Sequence, residues 1–164
     1  MPVQQIAMER FSVVSTRPFA EVLAAVDAAI GHPNLAEMQR EVAATQTYAE
    51  MEAAIDKVVG ATGLMEFLRL DMGMYLAKGR PGATPRSVRK LVGNPLIMRR
   101  MAEHLPDTAS YAPVTILIDE RADGVHLSYD RMASFLASYG STAASSVAEE
   151  LDRKVEAMLT AAAG

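Results

Sequence analysis

At 164 residues, half of them apolar and 22% charged, the chain has the size and composition of one globular domain spanning residues 1–164. It has no cysteine, which excludes disulfides, thiolate metal sites and a thiol nucleophile. A net charge of −4 argues against a nucleic-acid partner, and no apolar run reaches signal-peptide or membrane-spanning length, so the expectation is a cytoplasmic protein with no membrane partner.

The elements follow in chain order. Glu9 to Ser15, with Phe11, Val13 and Val14, reads as a first strand. Pro18 suits a first helical turn, and Phe19, Val22, Leu23, Val26 and Ile30 then recur at helical spacing up to a capping Gly31. Asn34 with Glu37, and Thr47 with Glu50, are capping-box pairs that predict two short helices, or one broken near Thr45 to Thr47, ended by Gly60. Leu64 to Ala77 reads as a strand with a bend or bulge at Asp71 and Gly73, resumed by Met74, Tyr75 and Leu76. After a Gly- and Pro-containing loop, Ser87 to Val92 is another strand. Asn94-Pro95 opens a helix that turns Ile97, Met98, Met101 and Leu105 inward and is stopped by Pro106. Val114 to Ile118 and Val125 to Asp130 form a hairpin turned by Asp123-Gly124. A short helix from Met132 to Tyr139 ends at Gly140. Ser146 and Glu149 cap a last amphipathic helix over about 146–160, with Ala161 to Gly164 fraying.

These elements sum to an α+β domain, a mainly antiparallel sheet with helices packed on it. In the second hairpin strand, Val125, Leu127 and Tyr129 share one face while His126, Ser128 and Asp130 share the other. One sheet face therefore meets the helices, and the other is partly polar, as a dimer interface or open groove requires.

Several chemistries are absent: there is no phosphate-binding glycine loop, no Gly-x-Ser-x-Gly elbow and no ligand-spaced histidine pair among His32, His104 and His126. The expectation is no metal and no cofactor. Charge distribution is more informative than its total. Between Asp71 and Glu103 there is no acid, while Lys78, Arg80, Arg86, Arg89, Lys90, Arg99 and Arg100 fall in that stretch. A solvated loop and helix face account for this as well as an anion site does. Gly93-Asn94-Pro95 marks a strand-to-helix junction where free backbone N–H groups favour an anion, with Arg99 or Arg100 as anchors, although the same residues serve as ordinary caps. His104, Tyr111 and His126 are the candidates for acid–base chemistry.

Three stretches together resemble a known family. They are Phe11-Ser12-Val13-Val14-Ser15 with Pro18-Phe19-Ala20-Glu21-Val22; Val92-Gly93-Asn94-Pro95-Leu96; and Leu105-Pro106 through Tyr111-Ala112-Pro113-Val114 to Ile118, closing with Asp123-Gly124-Val125. The family is the bacterial and archaeal "domain of unknown function 302". The resemblance covers about residues 9–134 and implies a two-layer α/β sandwich, helices on one face of the sheet, and a homodimer. It implies no activity. Many members carry a cysteine just before the strand that here begins at Pro113-Val114; this chain has Tyr111-Ala112-Pro113, so no thiol role carries over. The stretch 32–63 is more helical than the family core requires and is read as an insertion. The leading expectation is a homodimeric domain that binds a small anionic or amphipathic ligand through Gly93, Asn94, Arg99 and Arg100. The alternatives are a structural or regulatory protein acting through the 146–160 helix, and an enzyme using His104, Tyr111 or His126.

Overall fold

The computed structural model describes residues 3–164; Met1 and Pro2, part of the expected single-domain span, lie outside the described residues. Strands β1 (Arg10–Ser15), β2 (Met65–Asp71), β3 (Ser87–Gly93), β4 (Val114–Arg121) and β5 (Gly124–Asp130) form one antiparallel sheet in the order β1-β5-β4-β3-β2. The helices are α1 (Phe19–Ala29), α2 (Leu35–Ala44), α3 (Tyr48–Asp56), α4 (Gly73–Leu76), α5 (Pro95–Ala102), α6 (Met132–Leu136) and α7 (Thr142–Ala163). The α+β expectation holds: α1 and α7 lie on the sheet, and α5 and α6 pack beside α7.

Strand alternation explains the layering. Phe11, Tyr129, Ile116 and Lys90 are aligned across neighbouring strands on the covered face, next to the row Val13, Leu127, Ile118 and Val88. Their apolar members, with Val22, Val26, Leu151, Val155 and Leu159 from the helices, make the main core. Each buried Val, Leu or Ile contributes about 1.5–3 kcal/mol relative to exposure. A smaller cluster of Met38, Ile55, Met65 and Leu96 lies under α2 and α3. The other sheet face presents the row Arg10, Asp130, Thr115, Leu91 and Leu68, and beside it Ser12, Ser128, Leu117, Arg89 and Leu70.

Several local expectations are corrected. Met74, Tyr75 and Leu76 do not resume a strand. Asp71 Oδ1 accepts from the Met74 N–H at 3.2 Å, which turns the chain into the single helical turn α4 and leaves those side chains 56%, 65% and 44% exposed. The register shift lies between Glu66 and Leu68, not at Asp71. Gly31 is not a left-handed cap: a Cβ there would stand 1.8 Å from the Val58 carbonyl oxygen, so its role is close approach of backbones. Helix α5 stops at Ala102, and Pro106 opens a 3-10 turn over Pro106–Ser110. The last helix starts earlier than its apolar pattern suggests, because Ser141 Oγ accepts from the Ala144 N–H at 3.3 Å and serves as the cap.

The end of α7 does not fray. Ala162 and Ala163 are buried, Ser15 Oγ donates to the Ala163 carbonyl at 2.6 Å, and Arg17 donates to the Ala162 carbonyl at 3.0 Å. Midway along the helix, fully buried Asp152 accepts from the Tyr129 hydroxyl and from the Met132 and Ala133 N–H groups, the latter two at 2.7 and 3.1 Å. One carboxylate thus caps α6 and ties α7 to β5. The apolar stripe of α7 thus faces the core, while Ser146, Glu149, Arg153, Lys154, Ala157 and Thr160 are exposed. No helix among the described residues is long and apolar enough to cross a membrane.

Candidate functional site

A hollow lies at the junction between β3 and α5. Asn94 Oδ1 accepts from the Leu96 N–H at 2.8 Å, and its Nδ2 donates to the Gly63 carbonyl at 2.8 Å. The side chain thereby fixes the helix start against the loop before β2, and Pro95 supplies the preset first turn. Gly93 faces the cis Ala112–Pro113 segment, where an added Cβ would meet Pro113 at 3.3 Å and the Phe67 ring at 3.6 Å. Beside this contact lies a cleft of about 100 Å³ lined by Phe67, Ile97, Met98, Met101 and Leu151 together with Gly93 and Asn94. Gly93 and Asn94 are therefore brought together at a cavity. It is mainly apolar, with methionines that can adapt to a guest.

The two arginines sit elsewhere. Arg99 is 2.7 Å from Glu103 and stacks 4.5 Å from the centre of the Tyr48 ring, while Arg100 reaches Glu150 at 3.0 Å. Neither lines the cleft. Arg86 likewise pairs with Glu120 at 2.9 Å. Carboxylates from other parts of the chain thus neutralise much of the acid-free segment, and the folded surface is less basic there than the sequence suggests.

Lys90 departs furthest from its reading as part of a basic surface. It is 0% exposed, on the covered sheet face. Its ammonium donates to Glu66 and lies 2.6 Å from Asp27 Oδ1, a close contact that is not aligned as a hydrogen bond. Arg69 approaches the other Asp27 oxygen at 3.3 Å, and His32 Nδ1 is 3.7 Å from Glu66. Asp27, His32 and Glu66 lie close enough to hold a metal ion in principle. The Lys90 ammonium already contacts both carboxylates, so the group reads as an ion network tying α1, β2 and β3. The missed signal was alternation: in the strand from Ser87, Val88, Lys90 and Val92 share a face.

The three acid–base candidates do not share a site. His104 is exposed just beyond α5. His126 Nε2 pairs with Asp123 Oδ1 at 2.8 Å beside the hairpin turn, and this contact holds the Asp123 carboxyl below its ordinary range. Tyr111 stacks on Phe135 at 4.9 Å and shares a hydroxyl–hydroxyl hydrogen bond of 2.7 Å with Tyr139. It lines a groove with Asp130 at the end of β5, four residues or about 13 Å along the strand from His126.

Comparison with known families is decisive for kinship. The profile described as "Domain of unknown function DUF302" matches residues 38–162. The chain belongs to the DUF302 family. The match begins inside the stretch read as an insertion and continues through most of α7. This DUF302 domain is also similar to the crystal structure of an uncharacterized conserved DUF302 protein from Bacillus stearothermophilus, with a TM-score of 0.66 at 11% identity, covering 96% of this chain and 100% of that one. At that identity the likeness speaks for the fold alone. No protein of curated function matches the chain.

Proposed function

We propose that this DUF302 domain is a binding module, a homodimer that holds a small amphipathic or anionic molecule with its apolar part in the cleft beside Gly93 and Asn94. The observation that carries the reading is the cleft itself. The cleft leaves apolar wall surface in contact with water, and covering it with an apolar guest is favourable by about 25 cal/mol per Å². The hollow of about 100 Å³ suits a group of roughly four to six carbons, since a dry cavity of about 150 Å³ accepts benzene. At the start of α5, Pro95 has no N–H and Asn94 takes the Leu96 and Met98 N–H groups, so the Ile97 N–H is the donor left for a polar or negative end. For the dimer, support comes from Met74, Tyr75 and Leu76, three consecutive large apolar side chains exposed on α4.

Calorimetric titration with hexanoate tests the cleft. The unmodified chain should bind it, and Met98→Trp, which places an indole at the half-buried wall position, should lose at least about tenfold in affinity. Equal affinity in a folded Met98→Trp variant, or no binding to either protein, contradicts the assignment.

A further inference from the structure

We infer that the uncovered face of the sheet carries a separate binding site for a small carboxylate with an apolar, ring-sized body, anchored by Arg89. The groove has a volume of about 270 Å³ and is lined by Arg89, Leu91, Tyr111, Thr115, Asp130 and Phe135, among others. Strand register brings Leu91, Thr115 and Asp130 into one row across β3, β4 and β5, with Arg89 in the next row on the same face.

The charge balance of this groove favours an anion. Of its two charged residues, Asp130 is neutralised: Arg10 Nε donates to its Oδ1 at 2.6 Å and Arg10 Nη2 to its Oδ2 at 3.0 Å, a two-pronged pair. Arg89 has no such counterpart. Among the described residues its guanidinium meets no carboxylate, and it reaches only the neutral Thr115 Oγ1, at 3.4 Å. One guanidinium fork therefore stands uncompensated, and its geometry matches a single carboxylate. The Tyr111–Tyr139 pair does not oppose this: the hydrogen bond between the hydroxyls pushes Tyr139 up to about 12, so it adds no negative charge near neutral pH.

The walls define the rest of the ligand. Tyr111 and Phe135 stack at 4.9 Å with planes 6° apart, and the Tyr139 contact restrains the Tyr111 ring, giving a flat, rigid flank. Leu91, Pro113 and Val114 supply apolar surface. A guanidinium beside an aromatic slab and an aliphatic floor selects an amphipathic monoanion over a small hydrophilic one. The site stands apart from the cleft proposal, because the two hollows share only Pro113 and Val114 in their walls.

Amide NMR titrations of the full chain with benzoate and with its uncharged match, benzamide, test this. Benzoate should produce saturable shifts centred on Leu91 and Thr115. Its affinity should fall about tenfold or more in Arg89→Met, fall less in Arg89→Lys, and exceed that of benzamide by about tenfold. Arg89 is exposed, so the thermal midpoint of Arg89→Met should move by no more than about 2 °C, and Arg89→Gln serves as a second neutral variant. Met98→Trp should leave benzoate binding unchanged, which separates this site from the cleft. The proposal is overturned if benzoate causes no saturable shift, if the shifts centre on Met98 and Met101, or if charge removal from ligand or Arg89 has no effect.

Discussion

The Tyr129 hydroxyl is pushed well above its ordinary value, first by burial, then by the negative charge of Asp152 and the hydrogen bond it donates to that carboxylate. The sign of the consequence follows from linkage. The folded state keeps the proton at pH values where the unfolded chain, titrating near pH 10, has lost it. The stabilisation is fully present below about pH 10 and is lost as pH rises from there towards the folded value. Urea midpoints should therefore fall between about pH 9 and pH 11, and fall less steeply in Tyr129→Phe, which at neutral pH should cost about 1–2 kcal/mol through the lost hydrogen bond. Parallel pH profiles for the two proteins would remove Tyr129 from this role. Lys90 makes a second residue-scale prediction. Lys90→Met leaves Glu66 and Asp27 without their buried cation and should cost about 3–5 kcal/mol by urea unfolding, with recovery when Glu66→Gln and Asp27→Asn are added. No recovery would mean that packing of the lysine stem, and not charge, sets its contribution. Neither residue's partner was legible from sequence. Asp27 lies in an apolar-periodic helix and Asp152 in another, and what they meet depends on how distant elements align.

At the scale of elements, regular patterns were readable where local chemistry and burial agree. The hairpin, the Asn94-Pro95 helix start, the Thr47–Glu50 capping box and the Gly140 stop all occur as their residues imply. The failures share a cause. Met74, Tyr75 and Leu76 look like strand residues, yet the side chain of Asp71 diverts the chain before any partner strand can capture them. The alanine-rich end of α7 looks dispensable, yet small side chains are what allow it to approach β1, where Ser15 and Arg17 hold its last carbonyls. Deleting residues 161–164 should accordingly destabilise the domain by about 2 kcal/mol, or about 4–8 °C in thermal midpoint for a chain of this length. An unchanged midpoint would show that the final turn contributes nothing.

At the scale of the whole molecule, a two-layer α+β arrangement follows from strands with one apolar face and helices with one apolar stripe, and family motifs support the same arrangement. The site was only half legible. Gly93 and Asn94 announce a strand-to-helix junction and do border a cleft, but Arg99 and Arg100 turn to Glu103 and Glu150, and Arg89, one of several cations in its segment, stands in the open groove without a carboxylate. Local sequence tells where a charge is; only the fold tells which charges are already matched. The proposed function requires a small molecule bound to a homodimer of this domain. Native mass spectrometry of freshly purified protein, compared with the mass after denaturation, tests it most directly. The expected result is twice the chain mass plus a small added mass that disappears on denaturation; a bare monomer with no added mass would refute the bound homodimer.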